Sequence, residues 1–329
     1  MKLSKLSLCI ALLLSPGAVY AQQAAAPVES QPFKAGMPVG VTSRDGDYTP
    51  VSDNVKMYGA LVSTESCSYD ASRNLIVALN RGAPQDKFPN DAFVSLINHD
   101  GSVHTPRWIG ANRNGLVLNE PFGSHIMNGT LYAADSDGGT ADGAKRTAVI
   151  RMFDMETGAP TGEFPVPDVA WFNDIEVAKD GTIYASQTGG GKDQDPMRIY
   201  KITPDGTASI FLDGAPLASP NGVGIDGDGN IVVVNIGDDG VLTFSPDGKL
   251  LKTEHAAQPG SDGLVIMADG TKYVSSVTQG GISKIAPDQP AELIATGVPS
   301  AASMCYDAEA NQLVIPLNNN NGLAFLKLD

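Results

Sequence analysis

The chain is short of several things. Its 329 residues include 3 cysteines, 4 histidines and 2 tryptophans, and 22 basic side chains face 37 acidic ones. Three cysteines cannot staple a disulfide scaffold. A net charge of −15 lacks the basic footprint that nucleic acid or an anionic membrane surface requires, so neither is an expected partner. His99, His104, His125 and His255 are scattered without ligand spacing, and no Gly-x-Ser-x-Gly nucleophile occurs. Gly189-Gly190-Gly191-Lys192 lacks the P-loop spacing and reads as a loop. Past residue 21 no apolar run approaches the length of a membrane span.

What the chain does have is 42% hydrophobic residues with 36 glycines and 22 prolines, which suits many short strands joined by tight turns. Residues 1–21 carry Lys2 and Lys5, an apolar run from Leu6 to Leu14, and Val19-Tyr20-Ala21 as a small-residue cleavage site. That pattern is a secretory signal peptide, and it predicts a periplasmic or secreted protein. Residues 22–50, rich in Ala, Gln, Pro and Ser, are expected as a flexible lead-in, and 51–329 as one domain.

Internal repetition is the strongest signal. A short apolar strand, a polar turn and a second β-rich strand recur from Glu65, Pro121, Asn173, Asn221, Asp262 and, one residue longer, near Ala302. The starts lie 56, 52, 48, 41 and 40 residues apart, leaving room in each unit for a further hairpin. Asp205-Gly206 and Asp247-Gly248 mark such hairpins. Units of this size with about four strands are propeller blades, so the expected fold is all-β: a six-bladed β-propeller with a central channel.

Copies in register place their first residues around one mouth of that channel. Glu65, Asn173, Asn221 and Asp262 then converge as oxygen-bearing side chains, which in a narrow mouth repel or go unsatisfied without a partner. One divalent cation is the natural partner, Ca²⁺ first, with Zn²⁺, Mn²⁺ or Mg²⁺ as alternatives. The plainer reading is that Asn221-Gly222 and Asp262-Gly263 shape turns, as Asn and Asp before Gly commonly do. Asp226-Gly-Asp-Gly-Asn230 imitates the start of an EF-hand loop, but Gly237 stands where the twelfth-position Glu belongs, and a hairpin turn is the better reading.

At these residues the chain resembles the regucalcin/gluconolactonase family (senescence marker protein), six-bladed propellers with one divalent metal in the channel mouth. The resemblance implies Glu65, Asn221 of Pro220-Asn221-Gly222 and Asp262 of Asp262-Gly263 as metal ligands, and Asn173 of Phe172-Asn173-Asp174 as a substrate contact. It departs at Glu65-Ser66-Cys67, where the family has Glu-Gly-Pro, and at Trp171, where sugar-lactonase members carry Arg. Arg grips hydroxyls or a carboxylate, whereas Trp offers an apolar stacking face.

The implied chemistry is hydrolysis of a lactone or small ester. The cation polarises the carbonyl and yields hydroxide at neutral pH, Asp262 orients the water and takes its proton, and Asn173 bonds the developing oxyanion. The expected partner is a small-molecule substrate, a lactone or ester, and the protein is expected as a monomer. The rival is a non-catalytic propeller that uses the same channel to bind a small ligand or a protein. Cys67 and Cys305 fall near matching positions of the neighbouring first and sixth blades; an oxidising compartment permits a disulfide that fastens the closure, and the favoured expectation is two buried free thiols, because equivalent inner strands are often too far apart to bridge.

Overall fold

Hairpin chemistry sets the local structure. In Asp180-Gly181, Asp205-Gly206 and Asp269-Gly270 the glycine takes a φ of 85°, which an L side chain resists. The aspartate Oδ1 accepts the backbone N–H two residues on, at 2.9, 3.2 and 2.9 Å, closing the turn. Asp226 does the same work with Asp228 and Asn230, so the EF-hand look-alike is a turn between two strands.

The computed structural model describes residues 40–42, 48–58, 61–84, 88–113, 115–139, 145–190 and 195–329. The expected signal peptide lies outside them. Six four-stranded antiparallel sheets, five of them sequential meanders, form the blades of a β-propeller. Their inner strands are Thr64–Asp70, Ser124–Met127, Ile175–Val177, Pro220–Ile225, Ser261–Ile266 and Cys305–Asp307. Gly40–Thr42 and Tyr48–Pro50 pair as a separate two-stranded sheet, within the stretch expected as a loose lead-in. No helix of the described residues is long and apolar enough to cross a membrane.

Alternation along each strand sends side chains to both neighbouring blades, which is why the strands read as nearly continuous apolar runs. In blade 4, Ile231 and Val233 pack with Tyr184 and Ile199 of blade 3, while Val232 and Val234 pack with Leu264 and Val274 of blade 5. One such apolar cluster fills each of the six junctions between blades.

Two devices close the ring. The sixth blade takes its outermost strand, Val55–Tyr58, from the start of the domain, paired to Leu323–Leu326. Cys67 and Cys305 are joined by a disulfide, with their Cα atoms 5.4 Å apart, which corrects the expectation of free thiols. Inner strands converge towards the axis. Here the two strands come close enough for a parallel bridge between Ser66 and Ser303, and a Cα separation of this size is what a disulfide needs.

Candidate functional site

Strand register puts four oxygen-bearing residues at equivalent places. Asn221 follows Pro220, which pairs with Asn235, and sits in a bulge before Val223 pairs with Val233. Asp262 occupies the same bulge after Ser261, and Glu65 the one after Thr64. Asn173 precedes its strand and is held there by its N–H on the Ser186 carbonyl at 2.8 Å. Bulges bend a strand and re-aim its side chains. Ala302, whose N–H donates to the Pro316 carbonyl, holds the place in blade 6. In blade 2 the place belongs to Phe122, whose N–H donates to the Ala134 carbonyl, one residue after the expected Pro121.

Glu65, Asn173, Asn221 and Asp262 are all buried. Asn221 Nδ2 donates to Asp262 Oδ2 at 3.2 Å, and Asn173 Nδ2 donates to Thr188 Oγ1 at 3.1 Å. Three oxygens are left with no hydrogen-bond partner: Glu65 Oε2, Asn221 Oδ1 and Asp262 Oδ1. An unpaired buried acceptor costs about 1–3 kcal/mol, more when charged. Among the described residues no three His, Cys, Asp or Glu side chains group as a metal cluster. The unpartnered oxygens belong to two carboxylates and an amide, a hard-oxygen combination of the kind that suits a cation with several water ligands.

The glycines after the register residues have a different cause from turn glycines. Gly123, Gly222 and Gly263 do not take a positive φ. A Cβ on Gly222 would lie 2.5 Å from the Asp262 carbonyl oxygen, and one on Gly263 2.6 Å from that of Ala302. Backbone of the next blade fills the space, so Asn-Gly and Asp-Gly here mark close inter-blade approach. Blade 3 breaks the pattern with Asp174. Its Oδ2 accepts the Val223 N–H of blade 4 at 3.0 Å, and its Oδ1 accepts Ser303 Oγ of blade 6 at 3.3 Å. The carboxylate thus reaches across the channel.

Burial in a dry interior raises three carboxylates, and neighbouring negative charges add to the rise. Burial pushes Glu65 up to about 7 against the pull of Arg81, with Asp174 and Glu120 adding to the rise. Burial also lifts Asp174 to about 7, opposed by the Val223 and Ile175 N–H groups. Asp262 is driven well above the usual carboxylate range by burial, then by Glu65 and Asp174. A cation in the mouth would remove that penalty.

Part of the rim was not foreseen. Arg81 lies 3.9 Å from Glu65 Oε2, pairs with Glu120, and stacks over the Phe122 ring at 4.3 Å. The other neighbour of Phe122 is Trp171, with centroids 4.8 Å apart and planes 30° apart. Glu120 is fixed by its N–H on Asp135 Oδ1 at 2.7 Å, and Asp135 is gripped by buried Arg151 at 2.6 Å. Fully buried Asn235 leaves both amide atoms unpartnered, and Gln187 leaves its Oε1 so. Both stand at the mouth ends of second strands. Farther along the inner strands the channel holds a cavity of about 180 Å³, lined by Ser68, Ser124, His125, Asp174, Glu176 and Ser303 among others. There His125 Nδ1 lies 3.0 Å from Glu176 Oε2. Asp174 had a signal, its place beside Asn173. Arg81, Asn235 and Gln187 had none, since their strand ends meet the mouth only once the ring is closed.

The fold is a six-bladed propeller of the lactonase type, with oxygen-bearing side chains gathered at one mouth of its channel. The family described as SMP-30/Gluconolactonase/LRE-like region matches residues 101–317, more than half of the chain, and the protein belongs to that family. No curated protein matches. A gluconolactonase from Xanthomonas campestris superposes with a TM-score of 0.57 at 18% identity, covering 84% of this chain and 90% of its own. A second protein, provisionally assigned as a gluconolactonase, gives 0.57 at 16% identity, covering 84% and 93%. Virginiamycin B lyase from Staphylococcus aureus gives 0.55 at 14% identity, covering 84% and 100%. At these identities the likeness is one of fold, shared by a hydrolase and a lyase.

Proposed function

We propose that the protein is a metal-dependent hydrolase of the gluconolactonase type, opening a lactone or small ester at the channel mouth, in the periplasm or outside the cell. The observation that carries this reading is the trio of buried, unpartnered oxygens on Glu65, Asn221 and Asp262 at one register position. Those three residues would hold one divalent cation, Ca²⁺ first. Such an ion, when bound, supplies Lewis-acid polarisation of a carbonyl and acidifies coordinated water.

The chain's own residues do the rest. Asp262 is kept in place by Asn221 Nδ2 on its Oδ2 and accepts the proton of the attacking water at a carboxylate oxygen. Asn173 gives one amide hydrogen to Thr188 and has the second to offer an oxyanion. The mouth's burial excludes bulk water, which strengthens both contacts. No covalent intermediate with the enzyme is needed.

One observation favours the rival, a propeller that only binds. Arg81 already stands 3.9 Å from Glu65 Oε2 and offsets part of the mouth's negative charge without an ion. A lactone and ester panel assayed with Ca²⁺, Mn²⁺, Zn²⁺ and a chelator separates the two. Metal-restored turnover of some lactone supports the hydrolase, and no turnover across ring sizes with any ion leaves the binding module.

A further inference from the structure

The seam between blades 6 and 1 opens at the mouth as a second hollow. It is a cavity of about 410 Å³ lined by Ser63, Arg81, Glu120, Asn318 and Asn321 among others. Ser63 precedes the inner strand of blade 1, Arg81 follows the second strand of that blade, and Asn318 to Asn321 belong to the turn between the second and third strands of blade 6. Ser63 ties the three together. Its carbonyl accepts the Arg81 N–H at 3.0 Å, its N–H donates to Asn321 Oδ1 at 2.7 Å, and its Oγ donates to Asn318 Oδ1 at 3.1 Å.

That arrangement occupies acceptors and leaves donors. Ser63 takes both amide oxygens, so Asn318 and Asn321 each keep an Nδ2 group without a partner among the described residues. Glu120, the carboxylate of the lining, is held by Arg81 at one oxygen and by Arg146 at the other. Arg81 reaches Glu120 through Nη2 alone. Its Nη1 makes no hydrogen bond among the described residues, and the side chain is 25% exposed. A free guanidinium edge flanked by amide hydrogens matches a planar carboxylate. Glu65 and Glu120 stand beside that edge, so a phosphate dianion meets twice the repulsion that a carboxylate does.

We propose that this cavity takes a carboxylate group, held by Arg81 Nη1 and the amide hydrogens of Asn318 and Asn321, and that the mouth acts on a lactone or ester bearing a separate free carboxylate. The reacting end of that substrate rests on the hydrolase reading, whereas the cavity does not. Arg81 also couples the cavity to the oxygen donors, because its Nη1 lies 3.9 Å from Glu65 Oε2. Without an ion its charge offsets Glu65. Once Glu65 serves an ion, the guanidinium faces a second cation, and a carboxylate in the cavity relieves that repulsion. Cation and carboxylate therefore strengthen each other's binding by the same factor.

The test is calorimetric titration of the disulfide-bonded protein with Ca²⁺ at fixed ionic strength, in propionate or in its neutral analogue propionamide. Propionate is expected to tighten Ca²⁺ binding about fivefold or more, and propionamide to leave it unchanged. Asn318→Asp and Asn321→Asp keep an oxygen for Ser63 but exchange the amide hydrogens for negative charge, and Arg81→Met removes the guanidinium. Each is expected to abolish the coupling while Ca²⁺ still binds. No tightening, equal tightening by the amide, or coupling that survives Arg81→Met overturns the inference. In turnover, 5-oxotetrahydrofuran-2-carboxylate is expected to show a KM about tenfold below that of γ-valerolactone, and Arg81→Met to bring the two together with kcat little changed. Equal KM values in the unaltered protein overturn the substrate class. Coupling without hydrolysis of any lactone keeps the cavity and removes the hydrolase reading. If no ion binds, saturable propionate binding that Arg81→Met abolishes keeps the cavity and removes the metal reading alone, and its absence removes both.

Discussion

Blades 1 to 3 and blades 4 to 6 differ at the mouth. In the second half the turn from second to third strand is short, running from Asn235 to Gly240, Ser276 to Ile282 and Leu317 to Gly322. In the first half it runs from Asn80 to Phe93, Gly138 to Arg146 and Gln187 to Arg198. These longer connections account for part of the longer repeat intervals of the first three units. Blades 4 and 5 also supply the plain solution at the axis, a donor followed by glycine, as Asn221-Gly222 and Asp262-Gly263. Blades 1 to 3 carry Arg81, Phe122, Trp171 and Asp174. The regular blades contribute Asn221 and Asp262, whereas Glu65 and Asn173 stand in the elaborated half, among Arg81, Phe122 and Trp171.

The sharpest way to break this division is to remove a donor from the regular half. Asp262→Ala is expected to lower kcat/KM of metal-dependent lactone hydrolysis by at least about 10²–10³-fold with circular dichroism unchanged; full turnover in the variant sinks the mechanism. Next in size is the seam between the halves. Replacing Cys67 and Cys305 with serine, or reducing their bond, is expected to cost about 2–5 kcal/mol in denaturant unfolding. An unchanged midpoint would mean that the strand exchange alone closes the ring.

Smaller is the effect of filling a glycine slot. Gly222→Ala and Gly263→Ala push a methyl group into backbone of the following blade and should each destabilise by about 1–3 kcal/mol. A turn glycine of negative φ would tolerate the change, so a neutral result refutes close approach as its cause. The smallest expected effect is on pH dependence. Glu65 and Asp174 hold their protons to about 7 in the folded protein, above their unfolded values. Their contribution is complete below about pH 4, near the ordinary carboxylate pKa, and is lost as pH rises through about 7. In chelator, Tm should therefore fall from pH 5 to pH 8, and Ca²⁺ should flatten that slope. A Tm that rises over this window contradicts the sign.

The propeller was legible because it is written six times, with Asp-Gly turns whose chemistry is local. The register of Glu65, Asn173, Asn221 and Asp262 was legible for the same reason. Phe122 was missed by one residue, because the unit that starts near Pro121 has no polar marker and no Asp-Gly turn to fix its phase. The disulfide was misjudged because strand spacing at the axis depends on bulges and inter-blade approach, which a repeat pattern does not encode. The Arg81–Phe122–Trp171 stack joins three blades, so no stretch of sequence contains it.

The borrowed strand Val55–Tyr58 has a consequence for assembly. Vectorial synthesis delivers it early, whereas its partner Leu323–Leu326 arrives almost last. Five sheets can form as the chain emerges, yet the sixth stays incomplete, and pairing across so long a loop is intrinsically slow. Shortening the C-terminus by that one strand would strand both ends at once, while relocating the termini to a turn in another blade would spare the circle and merely move its join.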